Sequence, residues 1–208
     1  MNGAFRAIAA CTLASSCGAA SASLITFGNT PQYVISSWTE AGYKVSATGA
    51  QALLYSAISS FCVTSCSDNG TPWILAYAAG GYTDSVVVKA VDNSLFNLVS
   101  FDASEGFSNP NLSPFSGWAA QIRITGVLAD DSTISQLATL DQVNDGSNGT
   151  LVDFQTFALG LSGAFKEIRF SGLGGAGVNN FVLDNIRWIT QIARNPRVIM
   201  YPGHKPLT

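Results

Sequence analysis

The feature that most constrains this chain is an alternation of apolar and polar residues with a period of two, repeated through most of its length. Trp118-Ala119-Ala120-Gln121-Ile122-Arg123-Ile124-Thr125-Gly126 sets Trp118, Ala120, Ile122 and Ile124 on one side and Gln121, Arg123 and Thr125 on the other. Successive side chains leave a β-strand on opposite faces, so this is the pattern of a half-buried antiparallel strand. A turn at Asp130-Asp131-Ser132 leads into residues 133–140, where Ile134, Ala138 and Leu140 share a face, and the two segments read as a hairpin. Further strands are predicted at 24–27, 43–47, 73–78, 85–91, 95–101, 151–159, 164–171 and 180–189, with a loop at 144–149 and a glycine-rich connector at 172–177. Residues 50–60 are the one stretch with helical spacing, through Leu53, Leu54, Ala57 and Ile58. Many short strands joined by regular turns predict an all-β fold, a single-domain antiparallel β-sandwich or jelly roll. A chain of 208 residues that is 47% hydrophobic and 11% charged is large and apolar enough to bury such a core.

The ends read differently from the body. Arg6, the weakly apolar residues 7–14 and the small-residue site Ala20-Ser21-Ala22 have the order of an export signal, so residues 1–22 are expected to be removed. The apolar part is too short to span a bilayer, and no other run is long or apolar enough to do so. Residues 23–190 form the predicted sandwich, and residues 191–208 leave the strand pattern as a loose tail. The expected location is outside the cell or on its surface. Cleavage would leave Cys62 and Cys66, spaced C-x3-C before a turn sequence, and in an oxidising compartment such a pair forms a local disulfide. A zinc site would need further ligands, and a redox dithiol the C-x-x-C spacing at a helix start.

Charge and residue inventory remove most catalytic classes. Residues 23–190 hold six basic residues against all 13 acidic ones, a poor match for a phosphate backbone, so nucleic-acid binding is not expected. The one histidine, His204, lies in the tail, which leaves a Ser-His-Asp or Cys-His arrangement without its base. Gly172-Leu173-Gly174-Gly175-Ala176-Gly177 precedes a strand rather than a helix and is no nucleotide loop. Glycoside hydrolysis would need two facing carboxylates. Glu40, Glu105, Glu167 and turn aspartates such as Asp68, Asp130, Asp131 and Asp145 form no pair by spacing, so no catalytic residue is named and a glycosidase is the remote alternative.

A non-catalytic binding module, with carbohydrate as its ligand class, fits better. Aromatic faces cover the apolar side of a sugar ring while polar groups take its hydroxyls. Trp38 and Tyr82, beside turn residues, lead as candidates, followed by Trp73 and Tyr77; Trp118, alternating with Ile122 and Ile124, is expected in the core. The alternative is a structural or adhesive surface protein that self-associates through strand edges. Strict alternation puts Asp184 on one face with Val182, Ile186 and Trp188, where a charge must be paired, hydrogen-bonded or metal-bound.

Leu24-Ile25-Thr26-Phe27, Gly42-Tyr43-Lys44-Val45, Leu98-Val99-Ser100-Phe101-Asp102, Ile122-Arg123-Ile124-Thr125-Gly126, Phe154-Gln155-Thr156-Phe157 and Phe181-Val182-Leu183-Asp184-Asn185-Ile186 occur in that order. Together they resemble a family of secreted bacterial jelly-roll domains, many of which end in a PEP-CTERM sorting signal and are similar to galactose-binding-like carbohydrate modules. The resemblance runs through nearly the whole body, and the order of the motifs carries it. At its end the chain departs from the family: where a Pro-Glu-Pro motif, an apolar helix and a basic cluster would follow, it has Arg194-Asn195-Pro196-Arg197-Val198-Ile199-Met200-Tyr201-Pro202-Gly203-His204. The resemblance implies a structural calcium ion between Asp184 and oxygens near the first strand, here Thr26, the Gly28 backbone and Asn29, with no acid among the three. Calcium takes six to eight oxygens. No other cofactor is implied.

Overall fold

The computed structural model describes residues 21–31, 33–50, 54–57, 71–77, 83–105, 118–142, 154–175 and 179–190. Among them lie thirteen strands: β1 Ser21–Ile25, β2 Tyr33–Ile35, β3 Ser37–Glu40, β4 Tyr43–Thr48, β5 Leu54–Ala57, β6 Trp73–Ala76, β7 Ser85–Ala90, β8 Phe96–Ser104, β9 Gln121–Leu128, β10 Thr133–Thr139, β11 Gln155–Ala158, β12 Phe165–Leu173 and β13 Phe181–Thr190. All strand pairs are antiparallel, and no helix among the described residues is long and apolar enough to cross a membrane.

The hydrogen-bonded path runs β2-β5-β6-β13-β8-β12-β7-β4-β3, with β1 on β13, β11 on β8, and β9 between β12 and β10. Its link between β8 and β12 is a single register pair, Phe96 with Phe165. The path folds there into two layers. One holds β2, β5, β6, β13, β8 and β11 with β1 alongside β13; the other holds β10, β9, β12, β7, β4 and β3. Their inward residues meet in one core. Tyr43, Phe96 and Trp188 form its aromatic centre, with the Tyr43 and Trp188 ring centroids 4.2 Å apart and Phe96 edge-on to both at 5.2 and 5.8 Å. Phe101 joins the layers at its other end, 5.3 Å from Phe157 and 5.0 Å from Phe170. Gly126 is required under this packing, because a Cβ there would lie 2.3 Å from the Phe165 ring.

The hairpins follow the alternation. β3 returns as β4 through Ala41 and Gly42, both at positive φ (50° and 82°), the backbone of a type I′ turn. Three expectations are corrected. The helical spacing at 50–60 is overruled at Leu54–Ala57, which is β5 between β2 and β6; an apolar run this short fits either period, and the neighbouring strands decide it. Trp118 is buried but does not alternate into β9. It makes an isolated bridge with Asn180, and Ala119 takes the core-facing place.

The third correction concerns the parity of β13. Leu183 and Ile186 both face the core, three residues apart, because a bulge intervenes: the register against β8 shifts after Asp184, and Asn185 sits at φ 45°. One extra residue in a strand reverses the faces of everything beyond it. Asp184 therefore shares the outward side with Val182, while Ile186 and Trp188 point into the core. β8 answers with its own irregularity, since Leu98 and Phe101 are also three apart, and the core stays continuous across both strands.

Candidate functional site

The bulge creates a polar line on the outward side of the first layer. β13 pairs Asp184 with Asp102 of β8, and β8 pairs Asp102 with Thr156 of β11. Residues directly opposite each other on antiparallel strands lean to the same face. The Asp102 carboxylate accepts a hydrogen bond from the Thr156 hydroxyl at Oδ1 (2.7 Å) and from the Asn185 side-chain amide at Oδ2 (2.8 Å). Asp184 accepts the Asn185 backbone N–H at Oδ1 (2.7 Å) and the Thr71 hydroxyl at Oδ2 (2.6 Å). Positive φ at Asn185 thus serves twice: it turns its amide onto Asp184 and its side chain onto Asp102. The two carboxylates differ in access. Asp184 is 0% exposed, whereas Asp102 and Asn185 are half-buried and Thr156 is exposed.

An apolar cluster bounds this line. Trp73, Trp118 and Val182 are buried together, with Leu75 and Phe154 packed against them. β6 pairs Leu75 with Val182 and Ile74 with Leu183, so the next step of the register sets Trp73 beside Asp184. The Trp73 indole N–H is buried without a hydrogen-bond partner among the described residues. Chemically the face offers one carboxyl group, one amide and one hydroxyl, next to a buried aromatic cluster. These are donor and acceptor groups of the kind that match the hydroxyls of a polyol.

The residues named from sequence separate. Trp73 belongs to this face but is only 2% exposed. Tyr77, the next residue of outward parity beyond β6, is half-buried. Trp38 lies elsewhere: it is on the inward side of β3 opposite Val45, half-buried against the core, and its indole N–H donates to Glu40 Oε2 (3.0 Å). Tyr82, Cys62 and Cys66 fall outside the described residues. Asp102, Asn185 and Thr156 were not named from sequence. A signal existed for Asn185 alone, in the polar pair Asp184-Asn185 that interrupts the apolar run Phe181-Val182-Leu183 before Ile186; Asp102 and Thr156 carried none.

Of the calcium ligands implied by the resemblance, Thr26 is bonded to Glu40. The amide (3.2 Å) and hydroxyl (3.1 Å) of Thr26 donate to Glu40 Oε1, and the Phe27 amide donates to Oε2 (3.1 Å). The Gly28 amide donates to the Thr26 hydroxyl oxygen at 3.4 Å, and Asn29 is exposed. Glu40, the last residue of β3, thus brings a carboxylate to the end of the first strand, which has no acid of its own. Among the described residues no group of three or more His, Cys, Asp or Glu side chains is arranged to hold a metal ion.

The sequence matches no protein-family model and no curated protein. The fold is similar to that of the K2 cleaved adhesin domain of Lys-gingipain, at 14% identity over 82% of this chain and 98% of that chain, with a TM-score of 0.52. More distant are a family 29 carbohydrate-binding module (9% identity, 83% of this chain and 87% of that one, TM-score 0.36) and the family 11 carbohydrate-binding module of a cellulosomal cellulase of Clostridium thermocellum (14%, 83% and 96%, 0.32). The likeness to the adhesin domain defines a class by architecture, the antiparallel β-sandwich.

Proposed function

We propose that this chain is a non-catalytic, exported binding module whose ligand is a carbohydrate, contacted through Thr156, Asp102 and Asn185. The observation that carries the reading is the hydrogen-bonded line of an accessible carboxylate, amide and hydroxyl beside buried aromatic residues on one sheet face. A glycosidase reading is disfavoured by the same geometry. Asp102 and Asp184 are paired carboxylates, but Asp184 is sealed and both its oxygens accept protein hydrogen bonds, so the two do not flank an open bond. The test is a glycan array probed with the full chain, followed by calorimetry on the best ligand. Retention of a polysaccharide is expected, weakened about tenfold in a folded Asp102→Ala variant, the size of a lost charged hydrogen bond. An array silent across plant, algal and bacterial glycans would overturn the reading. Export is tested by fusing residues 1–22 to a reporter, with cleavage near Ala22 as the expected result.

A second reading, self-association through a strand edge, is favoured by β10. Its seven residues Thr133–Thr139 carry no charge and Leu137 is 49% exposed, while among the described residues it pairs with β9 alone. Uncharged edge strands are templates for a further strand. Light scattering that shows a monomer at every concentration would remove this reading.

A further inference from the structure

The outward face of the second layer has the opposite chemistry. Its neighbouring strands β4, β7, β12 and β9 present Lys44, Lys89, Arg169 and Arg123, each flanked in sequence by core residues and each exposed. These are four of the six basic residues between positions 23 and 190, a stretch that holds all 13 acidic residues of the chain. One acid joins them. Glu167 lies on β12 with its side chain 8% exposed, bonded to Lys89 at 2.5 Å and to Arg169. Among the described residues Lys44 and Arg123 have no ion-pair partner.

The registers fix the layout. Lys44 stands directly opposite Lys89. One row further, Ser46, Val87, Arg169, Thr125 and Ser135 lie opposite one another in turn across five strands, and beyond them Arg123 pairs with Ser171 and Leu137. At about 4.8 Å between strands, the cations from β4 to β9 span about 15 Å. Like charges directly opposite on a sheet cost stability. Lys89 is answered by Glu167, but Lys44 opposite it has no ion-pair partner among the described residues, a charge that an external anion would relieve. Lysines supply point charges, arginines a fork that matches a carboxylate or sulfate, and the serines and threonines between them bond neutral hydroxyls.

We propose that this face is a binding site for an acidic polysaccharide, one carrying carboxylate or sulfate groups along its chain. The inference rests on the carbohydrate reading above but names a second surface and a ligand class. No aromatic side chain points outward on the described strands of this layer, which leaves neither a stacking platform for neutral sugar rings nor one for nucleic-acid bases. A duplex would also bring its continuous charge against the acidic remainder of the body.

The test compares alginate, a polyuronate, with its propylene glycol ester, in which the same backbone has lost its carboxylates. Calorimetry on the full chain should show alginate bound, the ester at least about tenfold weaker, and the difference shrinking as salt rises. A Lys44→Glu, Arg123→Glu variant should lose about tenfold for alginate, while Arg187→Glu, a single charge reversal on β13 in the other layer and so half that change of charge, should stay within about twofold of the parent; Lys44→Gln, Arg123→Gln, which matches the control in net charge, should still lose more than Arg187→Glu. Should the double reversal fail to fold, Lys44→Gln, Arg123→Gln carries the same test. Equal loss in Arg187→Glu, no loss in the double variant, or equally tight retention of poly-glutamate or duplex DNA through the same cations would overturn the proposal. If alginate and ester bind equally and both depend on Asp102, this site falls and the carbohydrate reading stands; if no glycan binds, the reading itself falls.

Discussion

On the first layer the outward carboxylate Asp184 is 0% exposed, with protein donors on both oxygens, whereas on the second layer the outward Lys89 and Arg169 side chains keep 55% and 53% of their surface in water. Both faces descend from the same period-two alternation. They differ because β13 carries a bulge that folds its polar residues down onto the sheet, while β4, β7 and β9 run regularly and let their long side chains stand up. Buried polar groups are costly to disturb because their partners are left unsatisfied; exposed charges contribute little to stability and remain available to a ligand.

Substitutions should separate the faces in that order. Asp184→Ala removes the carboxylate that accepts from the Thr71 hydroxyl and the Asn185 amide and is expected to cost about 2–3 kcal/mol in urea denaturation. A cost no larger than that of Lys44→Ala would break the comparison. Asn185→Val forces a β-branched residue to φ 45° and should cost about 1–2 kcal/mol, whereas Asn185→Gly keeps the bulge and loses mainly the bond to Asp102. Similar midpoints for the two variants would show that backbone strain is not what the asparagine relieves.

On the second layer the effects should be smaller. Burial pushes the Glu167 carboxyl up, but its hydrogen bonds and charge interactions with Lys89 and Arg169 outweigh this and hold it below the usual glutamate range. Its native pKa is thus depressed, so the unfolded chain takes up that proton first as the pH falls. The stability it contributes is complete above the ordinary glutamate value and is lost as the pH drops through that value to the lower native one. Glu167→Gln should cost about 1 kcal/mol at neutral pH and flatten the acid limb of the stability curve. An unchanged limb would mean that other carboxylates dominate it. Lys44→Ala should stay within about 0.5 kcal/mol of the parent. Chelation should have the least effect: with Thr71 and Asn185 already donating to Asp184, melting in EDTA is expected to be unchanged, and a fall of several degrees reversed by calcium would instead support the ion that the family resemblance implies.

Much of the fold was legible because alternation needs no tertiary information. β4, β7, β8, β9, β10, β12 and β13 all lie where the period-two pattern puts them, within a few residues at their ends. The short β2 and β3 escaped because three or four residues are too few to show a period, and the hairpin at Ala41-Gly42 lacks the Asn-Gly signature. The candidate site was less legible. Strict alternation fails at the one bulge that matters, so it placed Asp184 with Ile186 and Trp188 and gave no reason to join Asp102 to Asn185 across 83 positions. The basic face was hidden for another reason. Net charge sums over the chain, and an acidic total says nothing about four cations that sheet pairing gathers onto one side.

The two faces are expected to receive different ligands. Amide and side-chain nitrogen NMR spectra of the full chain, titrated in parallel with a neutral oligosaccharide taken from the glycan array and with an alginate oligosaccharide, test this directly. The neutral sugar is expected to shift the Asn185 side-chain amide and the backbone signals of Asp102 and Thr156, and alginate to shift the Arg123 and Arg169 side chains with Lys44 and Lys89, each set silent to the other ligand. Both ligands moving one and the same set, or neither moving any of these residues, would contradict it.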